Sequence, residues 1–267
     1  MMILKEKVAV VFAAYGAIGA AVSSALAKEG AHVYLTGRDA AALQLVNQSI
    51  HSEGGASSVL LVDATDEVAI QNCYQTVLDQ KGRLDIVFNA IGPRPSQMAY
   101  GTPTLQLSYE DFKRPIDLMV GSQFLTAKLG ASYMQQSKSQ GTILMLTSSL
   151  SRLKVPFMAG FVTACTAIEG LSRSLATEFG RDGIKVICLN PTAMYGTRTI
   201  DETSAANAQL MGTSPEQWNA QMSQQYLLGK GPTLEQLGEV AAFLASEKGM
   251  PFNSHIVDVD GGSIMVI

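Results

Sequence analysis

The sequence predicts one α/β domain, a doubly wound parallel sheet of seven strands with helices on both faces, over residues 1–267. Three observations carry that reading. Short apolar runs alternate with helical stretches along the whole chain. The runs are uncharged at their centres and rich in Val, Ile and Leu, as strands covered on both faces must be. No linker, repeat or composition break divides the 267 residues, and with 47% apolar residues a chain of that length can bury a sizeable core.

In order, the strands are expected at 8–12, 32–36, 58–62, 85–88, 142–147, 184–189 and 256–259, with helices at 17–29, 39–53, 66–80, 108–137, 157–181 and 233–246. The first pair needs a decision. Residues 8–27 carry no charge, follow Lys5 and Lys7, and end in Ala25-Leu26-Ala27, so they have the look of a leader or a membrane segment. Glu6 within the basic flank and the interruption Tyr15-Gly16-Ala17-Ile18-Gly19 favour a buried strand, a tight turn and a helix instead. Two segments break the rhythm. Residues 92–107 are rich in Gly, Pro and Ser; residues 192–233 are rich in Gln, Ala and Met and partly helical. Both follow the carboxyl ends of strands, where open parallel sheets bind ligands, and the second is read as a substrate lid.

A net charge of −4 without a basic run argues against nucleic acid or an anionic membrane as partner. Three scattered cysteines, Cys73, Cys165 and Cys188, contain no C-x-x-C pair, so neither a disulfide framework nor a metal site is indicated and a reducing, cytoplasmic setting fits.

The turn after the first strand is the natural nucleotide site, because a strand feeding a helix through small residues aims backbone N–H groups at a pyrophosphate. Gly19 supplies close helix–strand packing there, and Gly16 an unusual backbone angle. After the second strand comes Gly37-Arg38; no carboxylate ends the strand, and a basic residue at that place favours a ribose 2′-phosphate, hence NADP over NAD. Asp63 and Asn89 end the third and fourth strands, where each would contact an adenosine or cap its own strand.

In joint order and spacing the chain resembles the short-chain dehydrogenase/reductase family over essentially its whole length, a family of the Rossmann type. The pieces are Ala13–Gly19, Asp63, Asp85-Ile-Val-Phe-Asn89-Ala90-Ile-Gly92, Thr147-Ser148-Ser149, Gly170–Glu178, Asn190-Pro191 and Val257-Asp-Val-Asp260-Gly261-Gly262. The resemblance implies hydride transfer between a nicotinamide and a carbonyl or alcohol. It places cofactor contacts at Ala13, Tyr15, Gly16, Ile18 and Gly19 in the turn and at Arg38. Further contacts fall at Asp63 and Ala64, at Asn89, Ala90 and Gly92, and at Pro191 and Thr197. It also implies a serine that orients the carbonyl and a tyrosine that donates the proton. A lysine four residues later lowers the tyrosine pKa, and an asparagine completes a relay.

This chain departs from that set. Ser148 keeps the serine, but Phe161 stands at the tyrosine position thirteen residues on, Cys165 at the lysine position, and the asparagine position falls near Met119. Ala13 and Ala17 replace glycines of the turn, and Thr192 another after Pro191. Phe161 and Cys165 lie one helical turn apart on one face, so both are expected to face the pocket. Substitute proton donors are Cys165 itself, Tyr195 at the lid root and Lys154 after the fifth strand.

Three readings follow: an atypical NADP-linked reductase of an apolar carbonyl compound with weakened or altered activity, a non-redox enzyme or cofactor-binding sensor, and a catalytically silent subunit. Lid residues Met194, Leu210, Met211, Trp218, Met222 and Tyr226 suit an apolar ligand, and Arg198 an anionic or carbonyl group on it. The resemblance also implies a homodimer or homotetramer paired through helices 108–137 and 157–181, and the apolar tail 264–267 is compatible with burial in such an assembly.

Overall fold

A computed structural model describes residues 2–263, together with the side chains there except that of Leu210; the tail 264–267 lies outside it. Seven strands form one parallel sheet: β1 (Val8–Phe12), β2 (His32–Gly37), β3 (Ala56–Leu61), β4 (Ile86–Asn89), β5 (Thr142–Leu146), β6 (Lys185–Pro191) and β7 (Ile256–Val259). Their order is β3-β2-β1-β4-β5-β6-β7. The chain winds outward from β1 to β3, crosses back to β4, and winds outward again, so β1 and β4 flank the switch point. Their register pairs Val10 with Val87 and Phe12 with Asn89.

The period of two along each strand sorts the core into two layers. Val10, Phe12, Val87, Ile143 and Val186 pack on one face, beneath α3 (Glu67–Lys81), α5 (Gly121–Gln136) and α6 (Ala159–Phe179). Val11, Leu35, Phe88, Leu144 and Leu189 pack on the other. There they meet α1 (Ala17–Lys28), α2 (Ala40–Ser52) and α9 (Leu234–Ala245). Helix starts are set by side-chain caps: Asp39 accepts from the Ala42 N–H, Asp66 from those of Val68 and Ala69, and Thr233 from that of Gln236.

Residues 8–27 are thus the central strand and its first helix, and among the described residues no helix is long and apolar enough to cross a membrane. The helix expected over 108–137 is interrupted. It consists of α4 (Tyr109–Pro115), a π-helical turn (Ile116–Val120) and α5, because Pro115 lacks an N–H and its ring displaces the carbonyl one turn back. Helix α6 begins at Ala159 rather than 157, since Phe157 takes a left-handed φ of 63° that ends the preceding loop. Residues 192–233 contain two helices, α7 (Arg198–Met211) and α8 (Pro215–Ser223).

Candidate active site

The carboxyl ends of the strands open into one continuous cavity of about 1520 Å³. At one end is the turn from β1 into α1. Ala13 there holds φ at 55°, a left-handed conformation that glycine adopts at less cost, so the backbone keeps a glycine path with an alanine on it. The Gly16 N–H donates to the Ala13 carbonyl at 3.0 Å, closing the turn. A Cβ on Gly19 would sit 2.3 Å from that same carbonyl oxygen, so no larger residue fits. Ala17 is the first residue of α1, and its methyl stands on the cavity wall with Ile18. The Tyr15 ring packs close against Gly37, where a Cβ would come within 2.5 Å of it.

Beside that ring, Arg38 pairs with Asp63 at 3.6 Å across the cavity mouth, both side chains well exposed. Asp63 also accepts from the Thr65 N–H at 3.0 Å and its hydroxyl at 2.7 Å; these bonds hold its carboxyl below the ordinary range, with a smaller contribution from Arg38. Ala64, Ala90 and Gly92 line the wall between the two ends. Asn89, expected as a cofactor contact, is not among the residues on that wall. Its Nδ2 donates to Thr126 at 3.0 Å and its Oδ1 accepts from the Ile91 N–H at 2.9 Å, so the buried amide clamps the strand end to α5.

At the other end, Ser148 follows β5 and caps the short 3-10 turn Ser149–Ser151, its Oγ accepting weakly from the Leu150 N–H at 3.4 Å while remaining on the cavity wall. Phe161, in the first turn of α6, places its ring on the wall as well, half-buried against the core. Cys165 does not share that face. It is wholly buried in the layer beneath the sheet, and burial pushes its thiol up to about 12, so it is a neutral hydrophobe and no proton donor to the cavity. Its backbone carbonyl accepts from the Thr147 hydroxyl at 2.8 Å. Four residues advance a helix by about 400°, some 40° past a full turn, and at the edge of the buried face of α6 that offset leaves Phe161 on the cavity wall and Cys165 in the core.

Met119, on the π-turn, is buried against the same wall, an apolar thioether where the resemblance places an amide. Tyr195 lines the cavity half-buried; burial first, and then its hydrogen-bonded neighbour Tyr226, push its phenol up to about 12. Lys154 stands exposed on the rim. Pro191 ends β6 on the wall, and Thr197 caps α7 by accepting from the Ile200 N–H at 3.4 Å. The lid side chains Met194, Met211, Trp218, Met222 and Tyr226 all reach the cavity, as does Arg198, which pairs with Glu202 at 2.8 Å.

Two features carried no sequence signal. The Tyr100 hydroxyl, in the loop after β4, donates to Asn207 of α7 at 2.8 Å and ties that loop to the lid across 107 residues. Phe157, strained at positive φ and 46% exposed, turns its ring into the cavity mouth beside Leu153.

Comparison with known proteins agrees with this geometry. A family model described as enoyl-(acyl carrier protein) reductase matches residues 13–263. The short-chain dehydrogenase/reductase FrzI of Cladobotryum sp. is 27% identical over 98% of both chains. Gluconate 5-dehydrogenase of Gluconobacter oxydans is 26% identical over 95% of this chain and 93% of its own. Among solved structures, sorbitol-6-phosphate 2-dehydrogenase SrlD of Erwinia amylovora superposes with a TM-score of 0.89 at 24% identity, over 97% of this chain and all of that one, which speaks to the fold alone.

Proposed function

The chain belongs to the short-chain dehydrogenase/reductase family, and from that premise we propose that it is an NADP(H)-linked oxidoreductase reducing a carbonyl compound, with proton handling altered by Phe161 and Cys165. The observation that carries the reading is the single cavity running from the β1–α1 turn past Ser148 and Phe161 to the lid. The turn fits a dinucleotide. Gly19 lets the helix start approach the Ala13 carbonyl, and the N–H groups at the start of α1 face a pyrophosphate. Arg38 serves a 2′-phosphate; its exposed pair with Asp63 contributes about 0–1 kcal/mol, so a dianion displaces it at little cost.

When bound, the nicotinamide supplies the hydride. Ser148 Oγ donates a hydrogen bond to the substrate oxygen and orients it. Phe161 packs against the reacting region and excludes water without offering a proton. The proton then reaches the oxygen from the Tyr195 hydroxyl or from solvent; a positioned general acid is worth roughly 10²–10⁴-fold, so turnover is slow. Lys154 is the third donor to test, and residues 192–233 are the lid that closes over the substrate.

Trp218, the sole tryptophan of the chain, lies on the cavity wall and reports ligand entry. Energy transfer from it is expected to show NADPH binding more tightly than NADH, followed by slow consumption of NADPH with a carbonyl substrate. Phe161→Tyr, alone and with Cys165→Lys, is expected to raise that rate by on the order of tenfold or more. A neutral, buried Cys165 also favours a second reading, a protein that binds the cofactor without redox turnover; tight NADPH binding with no turnover in either variant would select it. No NADPH binding at all would leave the silent-subunit reading.

A further inference from the structure

The cavity is larger than one ligand needs and carries the wrong charge for this chain. Single-ligand sites run about 300–1,000 Å³, and at about 1520 Å³ this one has room for a dinucleotide and a second molecule of substantial size. The chain as a whole is acidic, with 23 Asp and Glu against 19 Lys and Arg. Its described cavity walls reverse that balance: Arg38, Arg94, Lys154 and Arg198 face a single carboxylate, Asp63. Arg38 and Asp63 pair with each other at the turn end. The other three cations stand at the lid end, one after each of the adjacent strands β4, β5 and β6. Arg198 is engaged by Glu202, whereas neither Arg94 nor Lys154 forms an ion pair among the described residues.

The apolar wall is as selective in composition. Met98, Met119, Met158, Met194, Met211 and Met222 line the cavity, half of the 12 methionines in the chain. Methionine is unbranched and polarizable, and a surface built from it repacks around flexible apolar chains rather than matching one rigid shape.

We propose that the lid end of the cavity binds an amphipathic anion: a flexible apolar body of fatty-acyl size on the methionine wall, with one carboxylate or phosphate headgroup at Arg94 and Lys154. This names the substrate class of the site described above and rests on that reading for its chemistry, although the binding is measurable without turnover.

The test uses the full chain and Trp218 as energy donor. An 11-carbon fatty acid bearing a dansyl group is titrated against its methyl ester, with and without saturating NADPH. The acid is expected to bind at least tenfold more tightly than the ester, with the preference shrinking in high salt. In the Arg94→Gln/Lys154→Gln double variant, both sites being exposed, the acid should fall to within twofold of the ester while ester affinity is unchanged. Dodecanoate and dodecyl phosphate then compete with the probe; the stronger competitor identifies a free carboxylate or a phosphorylated carrier as the source of the headgroup. Equal binding of acid and ester, binding of neither, or a preference that survives in the double variant would overturn the proposal. Loss of NADPH binding with headgroup preference intact would count against the oxidoreductase reading alone.

Discussion

Ala13 carries a methyl group into a backbone conformation that costs an L-residue about 1–2 kcal/mol, and the turn tolerates it because the Gly16 N–H and the packing of α1 hold the path in place. Ala13→Gly is therefore expected to leave the structure unchanged and to raise stability by about 0.5–1 kcal/mol, the relief of strain being partly offset by a more flexible unfolded chain. Gly19→Ala acts in the opposite direction, since its Cβ would sit 2.3 Å from a backbone oxygen. A loss of about 1–3 kcal/mol is expected, read as a lower thermal midpoint together with weakened NADPH binding; an unchanged midpoint would contradict the close approach. Residue identity was legible at this scale. The family resemblance, aligned on Gly170–Glu178, located Phe161 and Cys165, but not that one faces the cavity and the other the core. The rotation of α6 about its axis depends on what packs against it, and no local signal encodes that.

Elements show where local pattern and packing part company. The helix expected over 108–137 was legible as helical, and Pro115 within it is a visible warning of the break, yet that the π-turn after it seats Met119 on the cavity wall is a matter of packing. The lid is a similar case. Its two helices and their cavity-facing methionines follow from composition, while its anchorage by the Tyr100–Asn207 hydrogen bond joins residues far apart in the chain. That bond is expected to hold α7 closed. Tyr100→Phe removes it at a cost of about 0.5–1.5 kcal/mol, so amides of α7 should exchange roughly 2–10-fold faster with global stability nearly unchanged. Unaltered exchange in α7 would mean that apolar packing alone seats the lid.

For the whole molecule, the outer faces of α5 and α6 remain to be covered. Phe124 is 43% exposed there, and a shallow groove formed by Phe124, Ala131, Leu175 and Phe179 is rimmed by Lys128 and Asp182. The resemblance implies pairing of two copies through these helices, and an isologous contact here would bury the same apolar patch on both partners. Light scattering is expected to give twice or four times the 28.4 kDa chain mass, and Phe124→Glu to shift the distribution toward monomer. A monomeric wild type at tens of micromolar would rule that pairing out. The expectation that the tail 264–267 adds to such an interface concerns residues outside those described.

Alternation of apolar strands with helices, and the order of small motifs along the chain, were enough to read out a parallel sheet with its ligand cleft at the strand ends. Period and burial are local consequences of side-chain chemistry, so they survive in a linear string. What folding alone settled is which groups meet. Asn89 spends its amide on α5, Cys165 turns into the core, and Arg94, Lys154 and Arg198 converge on one cavity from three loops. Those outcomes depend on contacts between segments up to a hundred residues apart, whose geometry no local pattern contains.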